Sequence, residues 1–189
     1  MKKTLFILAL TAVTLLSGCA APGVVSNVTV FENLSTAEAT KTYMVEATPE
    51  QSNNLEFGSY VGLLNQQLQR HGYVSVTTDP ALTVSLNYGT TATVASSLPP
   101  VPFSGLYGTR HGHYFGSGWQ TAVDTVFMHQ MEVSISRIAD NKNLYTVRTR
   151  LMSDNPELSL SMSYLMESAF QNYPGRNGTT QTVTVPLQQ

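Results

Sequence analysis

One cysteine in 189 residues, Cys19, leaves the chain without an internal disulfide, so its fold must be held by packing alone. Basic residues are too few for a nucleic-acid footprint: lysine and arginine number 10 against 12 acidic side chains. Phosphate loops of the Walker type, dinucleotide glycine fingerprints and the G-x-S-x-G elbow of acyl-transfer enzymes are all missing. The N-terminal apolar run, Leu5 to Leu16, is twelve residues long, well short of the roughly 20 that a bilayer-spanning helix needs. The sequence therefore offers enzyme activity nothing local to rest on, and no cofactor or nucleic-acid partner is expected.

What stands at the front of the chain is more specific. Lys2 and Lys3 precede the apolar run, and the tetrad Leu16, Ser17, Gly18, Cys19 closes it. This is the pattern of a bacterial lipoprotein signal. Small residues ahead of the cut let a peptidase approach an extended backbone, and the thiol forms the thioether to glyceride. Ordinary secretory cleavage after Ala21 is the competing reading. On the lipoprotein reading, residues 1–18 are a removed signal peptide, 19–27 a lipidated tether with Pro22 and Gly23 discouraging regular structure, and 28–189 a single domain. Removing the first 18 of 189 residues leaves 171, enough for one proper core. It also removes two lysines, leaving 8 basic against 12 acidic side chains, a net charge of −4. Each buried methylene contributes about 0.8 kcal/mol, so two or three acyl chains on Cys19 make detachment slow. By similarity to Gram-negative lipoproteins, Ala20 after the cysteine implies an outer-membrane address, facing the periplasm.

Periodicity supplies the fold class. Val28 and Val30 alternate with polar neighbours, as do Tyr43 and Val45, which predicts two strands. Thr48, Pro49 and Gln51 form a helix start, and Phe57, Val61, Leu64 and Leu68 an apolar stripe ending at Arg70, His71 and Gly72. Gly58 and Gly62 on this helix suggest close packing against a sheet. Strands are predicted at 73–76 and 82–88, then at 131–136 and 145–151 joined by a hairpin over 140–143. A second helix begins at Asn155 and Pro156, with Leu158, Met162, Leu165 and Ala169 inward, and Val183, Val185 and Leu187 form a closing strand. The expected fold is α+β: a mostly antiparallel sheet with two helices packed on one face and a long glycine- and aromatic-rich loop.

Several of these segments resemble one family. Lys41-Thr42-Tyr43, the L-Q-R-H-G-Y of 68–73, the strand at 82–88 and above all S-Y-L-M-E-S-A-F-Q-N-Y-P-G-R-N-G at 163–178 are similar to bacterial lipoproteins of domain-of-unknown-function family 4136. Related chains tend to carry a tryptophan where this one has Tyr145-Thr146-Val147. The resemblance implies an envelope lipoprotein of α+β fold, with no catalytic residues to carry over.

Segment 89–120 departs most from the rest in composition. Its glycines permit turns, while Phe103, Tyr107, Tyr114, Phe115 and Trp119 supply rigid surface of the kind that dominates binding hot spots. These five are the candidate binding residues; the bland alternative is that they fold back over the uncovered sheet face. His111 and His113 would place two imidazoles near one metal, but a catalytic zinc needs three protein ligands and no third is assignable. His71 is accounted for by its helix end, and His129, in register with Met131 and Val133, by the core. The expected function is a binding or structural module of the cell envelope, with an envelope protein, glycan or lipid as partner besides the membrane itself. The alternative is a metal-assisted or hydrolytic enzyme built on His111 and His113.

Overall fold

The computed structural model describes residues 22–34, 41–96, 101–109, 112–120 and 123–187, with stretches 94–96, 101–109, 112–120 and 123–124 given by backbone alone. Cys19 and the signal segment lie outside the described residues. The element order is β1 (Gly23–Glu32), β2 (Thr42–Glu46), α1 (Pro49–Ser52), α2 (Leu55–Arg70), β3 (Val74–Ser75), β4 (Leu82–Ser96), β5 (Val101–Thr109), β6 (Gly112–Gln120), β7 (Val123–Arg137), β8 (Lys142–Ser153), α3 (Leu158–Phe170) and β9 (Thr179–Pro186). Seven strands form one sheet in the order β3-β2-β4-β7-β8-β1-β9, and β5 pairs with β6 separately.

The sheet is mixed, which corrects the expectation of a mostly antiparallel one. β2 runs parallel to both β3 and β4, while the remaining neighbours are antiparallel. The cause is the helical crossover: α1 and α2 carry the chain back along the sheet before β4 begins, so β4 enters in the direction of β2.

The period-two alternation is realised as one covered and one open face. Leu82, Val84 and Leu86 of β4, Met131, Val133 and Ile135 of β7, Tyr145, Val147 and Leu151 of β8, and Val28 and Val30 of β1 are buried. Phe57, Tyr60, Leu64 and Leu68 of α2 and Met162, Leu165 and Ala169 of α3 complete the same core. Tyr60 meets Tyr88 edge-on with ring centroids 4.9 Å apart, a geometry aromatic pairs prefer.

The first helix is split. Thr48 and Gln51 make the anticipated capping box around α1, but Asn54 caps anew, its side chain accepting from Glu56 N at 2.8 Å. A short amide side chain that bonds the backbone locally competes with helix continuation, and two asparagines in succession win here. Gly58 and Gly62, expected to pack closely, face open space: a Cβ at either would meet nothing within 4 Å.

Two boundaries also move. β1 begins at Gly23, inside the stretch read as tether. Gly23 serves the sheet, because a Cβ there would lie 2.7 Å from Val185 O. The segment read as a loop from Gly89 instead continues β4 to Ser96, and 101–109 and 112–120 are strands. Thr90, Thr91, Thr93 and Val94 are β-branched, which favours extended backbone over the loop that the glycine content suggested.

Candidate binding surface

The face of the sheet opposite the helices is polar. Cross-strand register lines up Asn87, Glu132, Arg148, Thr29 and Thr180 in one transverse row, and Gly89, Gln130, Arg150, Asn27 and Thr182 in the next. The rows enclose a hollow of about 260 Å³, to which Asn87, Gln130, Glu132, Arg148 and Arg150 contribute. Arg148 Nε donates to a carboxylate oxygen of Glu132, and its guanidinium carbon lies 5.8 Å from the Phe31 ring centroid. Arg148 also borders a second hollow, of about 450 Å³, with Phe31, Asn143 and Asn177 among its walls. Ser134 and Thr146 share a hydrogen bond of 3.1 Å, and Asn143 Nδ2 donates to Thr146 Oγ1 at 3.0 Å. Planar amides, guanidinium groups and hydroxyls on rigid strands can hydrogen-bond a polar ligand without a loop having to close.

A different constellation occupies the end of the domain where α2 and α3 finish. His71 caps α2, and its ring lies 4.5 Å from that of Tyr173 and 6.0 Å from that of Phe170. Lys41 Nζ donates to His71 O at 3.1 Å and stands 5.1 Å from the Tyr73 ring centroid. Tyr43 meets Tyr73 edge-on at 6.3 Å, and Tyr145 lies 5.1 Å from Tyr173. Burial pushes the Tyr145 and Tyr173 phenols well above their ordinary range, so both stay neutral. Burial lowers the His71 pKa, Lys41 and Arg70 lower it further, and a hydrogen bond to the Phe170 carbonyl opposes them. The segments carrying the family resemblance thus meet in a packed aromatic knot.

Of the candidates read from sequence, Cys19 and His111 lie outside the described residues. Phe103 and Tyr107 fall on β5, and Tyr114, Phe115 and Trp119 on β6. Pairing of Tyr107 with Tyr114 and of Phe103 with Gly118 puts Phe103, Tyr107 and Tyr114 on one face of the ladder. Phe115 and Trp119 fall on the other, together with His113. His129 is buried, with Nδ1 2.8 Å from Thr90 Oγ1 and Nε2 2.9 Å from Asn155 O, a satisfied core residue. Among the described residues, no three His, Cys, Asp or Glu side chains cluster as metal ligands. Likewise among them, no helix is long and apolar enough to cross a membrane.

Arg148, Arg150, Gln130 and Asn87 were not singled out from sequence. The signal was present as the polar phase of three alternating strands, but only the pairing register brings those positions side by side.

The described residues thus form a mixed sheet with helices on one face and an open polar face on the other. The family model "Domain of unknown function (DUF4136)" matches residues 28–175, and the chain belongs to that family. No curated protein matches the chain. A PDZ domain protein from Parabacteroides distasonis shares the fold, with a TM-score of 0.54 and 13% identity. The alignment covers 85% of this chain and 39% of that one, so the chain spans about two-fifths of that protein's length. A PelC dodecamer from Paraburkholderia phytofirmans aligns with a TM-score of 0.40 and 11% identity, over 75% of this chain and 91% of that one.

Proposed function

We propose that the chain is a lipid-anchored protein of the bacterial outer membrane, facing the periplasm, that works by binding and not by catalysis. The observation that carries this reading is the junction of signal and fold: the lipobox cysteine stands four residues before the first sheet residue, Gly23. Acyl chains on Cys19 hold the domain at the membrane surface, and the open face around Arg148 and Arg150 contacts the envelope partner. A rigid sheet supports such a role because its polar groups are already positioned, so little ordering entropy is lost on binding.

The test has two parts. Mass spectrometry of the full chain expressed in a Gram-negative host should find the N-terminal peptide beginning at Cys19 with glyceride and acyl mass; an unmodified thiol overturns the anchor. Crosslinking in intact envelopes should recover partners that are lost in the Arg148→Ser/Arg150→Ser variant. An unchanged partner set removes the open face as the contact surface.

A further inference from the structure

We infer that the open face binds a glycan strand bearing carboxylates, with Arg150 as the carboxylate receptor. The inference rests on the reading of that face as the contact surface and adds the chemical class of its ligand.

Register sets out the site. On this face β8 presents Arg148 and Arg150 between Glu132 and Gln130 of β7 on one side and Thr29 and Asn27 of β1 on the other. Thr146 precedes them opposite Phe31, and from Thr146 to Arg150 the strand covers ~13 Å at its usual rise. Arg148 borders both hollows, so the two adjoin and together run along β8 from Asn143 and Asn177 to Gln130 and Arg150. Gly89 pairs with Gln130 in the transverse row of Arg150. The β4–β7 ladder around it keeps an unbroken register from Leu82 to Ser96, and a Cβ at Gly89 would meet nothing within 4 Å. Neither a bulge nor a crowding backbone calls for glycine there, whereas close approach by a ligand does.

The chemistry of this trough separates ligand classes. Neither transverse row through it holds an apolar side chain, whereas the centre of a protein interface is apolar and poor in charge. Two carboxylates, Glu132 and Glu32, stand among its two arginines, which opposes nucleic acid and other dense polyanions. A chain of sugar hydroxyls fits, because hydroxyls donate and accept, as do the amides of Asn87, Gln130, Asn143 and Asn177. Sugar rings also carry C–H faces, and Phe31, 46% exposed, offers an aromatic ring beside Arg148. Much of the polar lining is already held: Arg148 by Glu132, Asn143 by Thr146, and Asn177 by Glu32 N, which donates to its Oδ1 at 3.1 Å. Binding therefore orders little. Arg150 differs, being exposed, flanked in its row by the uncharged Gln130 and Asn27, and without an ion pair among the described residues. A guanidinium so placed can hold a carboxylate through two parallel hydrogen bonds. One such cation along the trough matches a glycan whose carboxylates are sparse.

The test titrates the full acylated chain, held in lipid nanodiscs, with oligosaccharides of matched length followed by calorimetry. One probe is a neutral N-acetylglucosamine oligomer, one a uronate oligomer, and one a murein fragment whose carboxylates sit on lactyl and peptide arms. A carboxylated probe is expected to bind about 10-fold or more tighter than the neutral one, and Arg150→Gln to erase that preference. Whichever carboxylated probe binds tighter identifies the source. Gly89→Leu fills the floor of the trough without touching either arginine, and it should abolish binding while melting stays at or above that of the parent. Equal affinity for all three probes, or binding that survives both Arg150→Gln and Gly89→Leu, overturns the inference. So does the absence of binding, and crosslinking in intact envelopes then divides the failure. Partners that still depend on Arg148 and Arg150 remove the glycan alone, whereas partners indifferent to both remove the open face as well.

Discussion

The phenol oxygens of Tyr73 and Tyr173 stand 2.5 Å apart, joining the turn after α2 to the turn after α3 across 100 residues of sequence. Each single change to phenylalanine removes this bond from a mostly buried knot. Tyr73→Phe and Tyr173→Phe are each expected to cost about 1 kcal/mol or somewhat more, with the double variant costing less than the two together. Tyr145 makes the control: its hydroxyl is buried and has no hydrogen-bond partner among the described residues. Tyr145→Phe is therefore expected to be neutral or stabilising. Urea denaturation of the four variants checks the ordering, and a Tyr145→Phe loss equal to that of Tyr173→Phe would contradict it.

One substitution type should act with opposite signs at two places. Gly175 has φ +82°, and a Cβ added there would lie 3.0 Å from Val30 Cγ2. Gly175→Ala is expected to destabilise by about 1–3 kcal/mol, the usual cost of holding a side chain in left-handed backbone. Gly58 and Gly62 lie inside α2 with open space where a methyl would go. Gly58→Ala and Gly62→Ala are each expected to stabilise by about 0.5–1 kcal/mol, since alanine gives up less backbone entropy on entering a helix. Thermal melts should separate the two groups on either side of the parent.

The contrast between these glycines shows what a sequence can and cannot display. The alternation of β4, β7 and β8 was readable because each strand has one covered face, and a half-buried strand writes its burial into every second residue. The inner residues of α3 were readable for the same reason at the helical period. What escaped depends on distant partners. Gly23 looked like part of a tether, and only the approach of Val185 shows that it belongs to the sheet. The parallel pairing of β2 with β4 is a property of the crossover, and five residues of β2 carry no mark of direction. The open-face row of Glu132 and Arg148 likewise exists only through register. The aromatics of 89–120 stood out by composition, but their division between two faces of a ladder followed only from the pairing of β5 with β6.

Acid should loosen the aromatic knot. Burial lowers the His71 pKa, with Lys41 and Arg70 adding to the effect, so near neutrality the folded chain binds fewer protons at this site than the unfolded one. Stability rises with pH wherever the unfolded state holds more protons. The contribution of His71 is fully present above the unfolded value of about 6.5 and is lost as pH falls from there toward the folded value. His71→Gln should flatten the pH dependence of the urea midpoint over that window. A parent and variant with the same slope would show that His71 is not the titrating group.

Arg148 should matter more than the partner it is paired with. Its ion pair with Glu132 is exposed, with side chains 51% and 32% accessible, and such pairs contribute at most about 1 kcal/mol before salt screening. Glu132→Ala removes that term alone. Arg148→Ala removes it together with the contact over Phe31, and an exposed cation–π contact adds about 0.5–1 kcal/mol. Arg148→Ala is thus expected to cost more than Glu132→Ala, and the excess should persist at high salt, where the ion pair fades. In a Phe31→Leu background the excess should vanish, because leucine offers the guanidinium no ring. A double-mutant cycle over the three residues, measured by urea denaturation at low and high salt, checks both statements. Equal costs for Arg148→Ala and Glu132→Ala would assign the stacking no energetic role and leave Arg148 held on the open face by Glu132 alone.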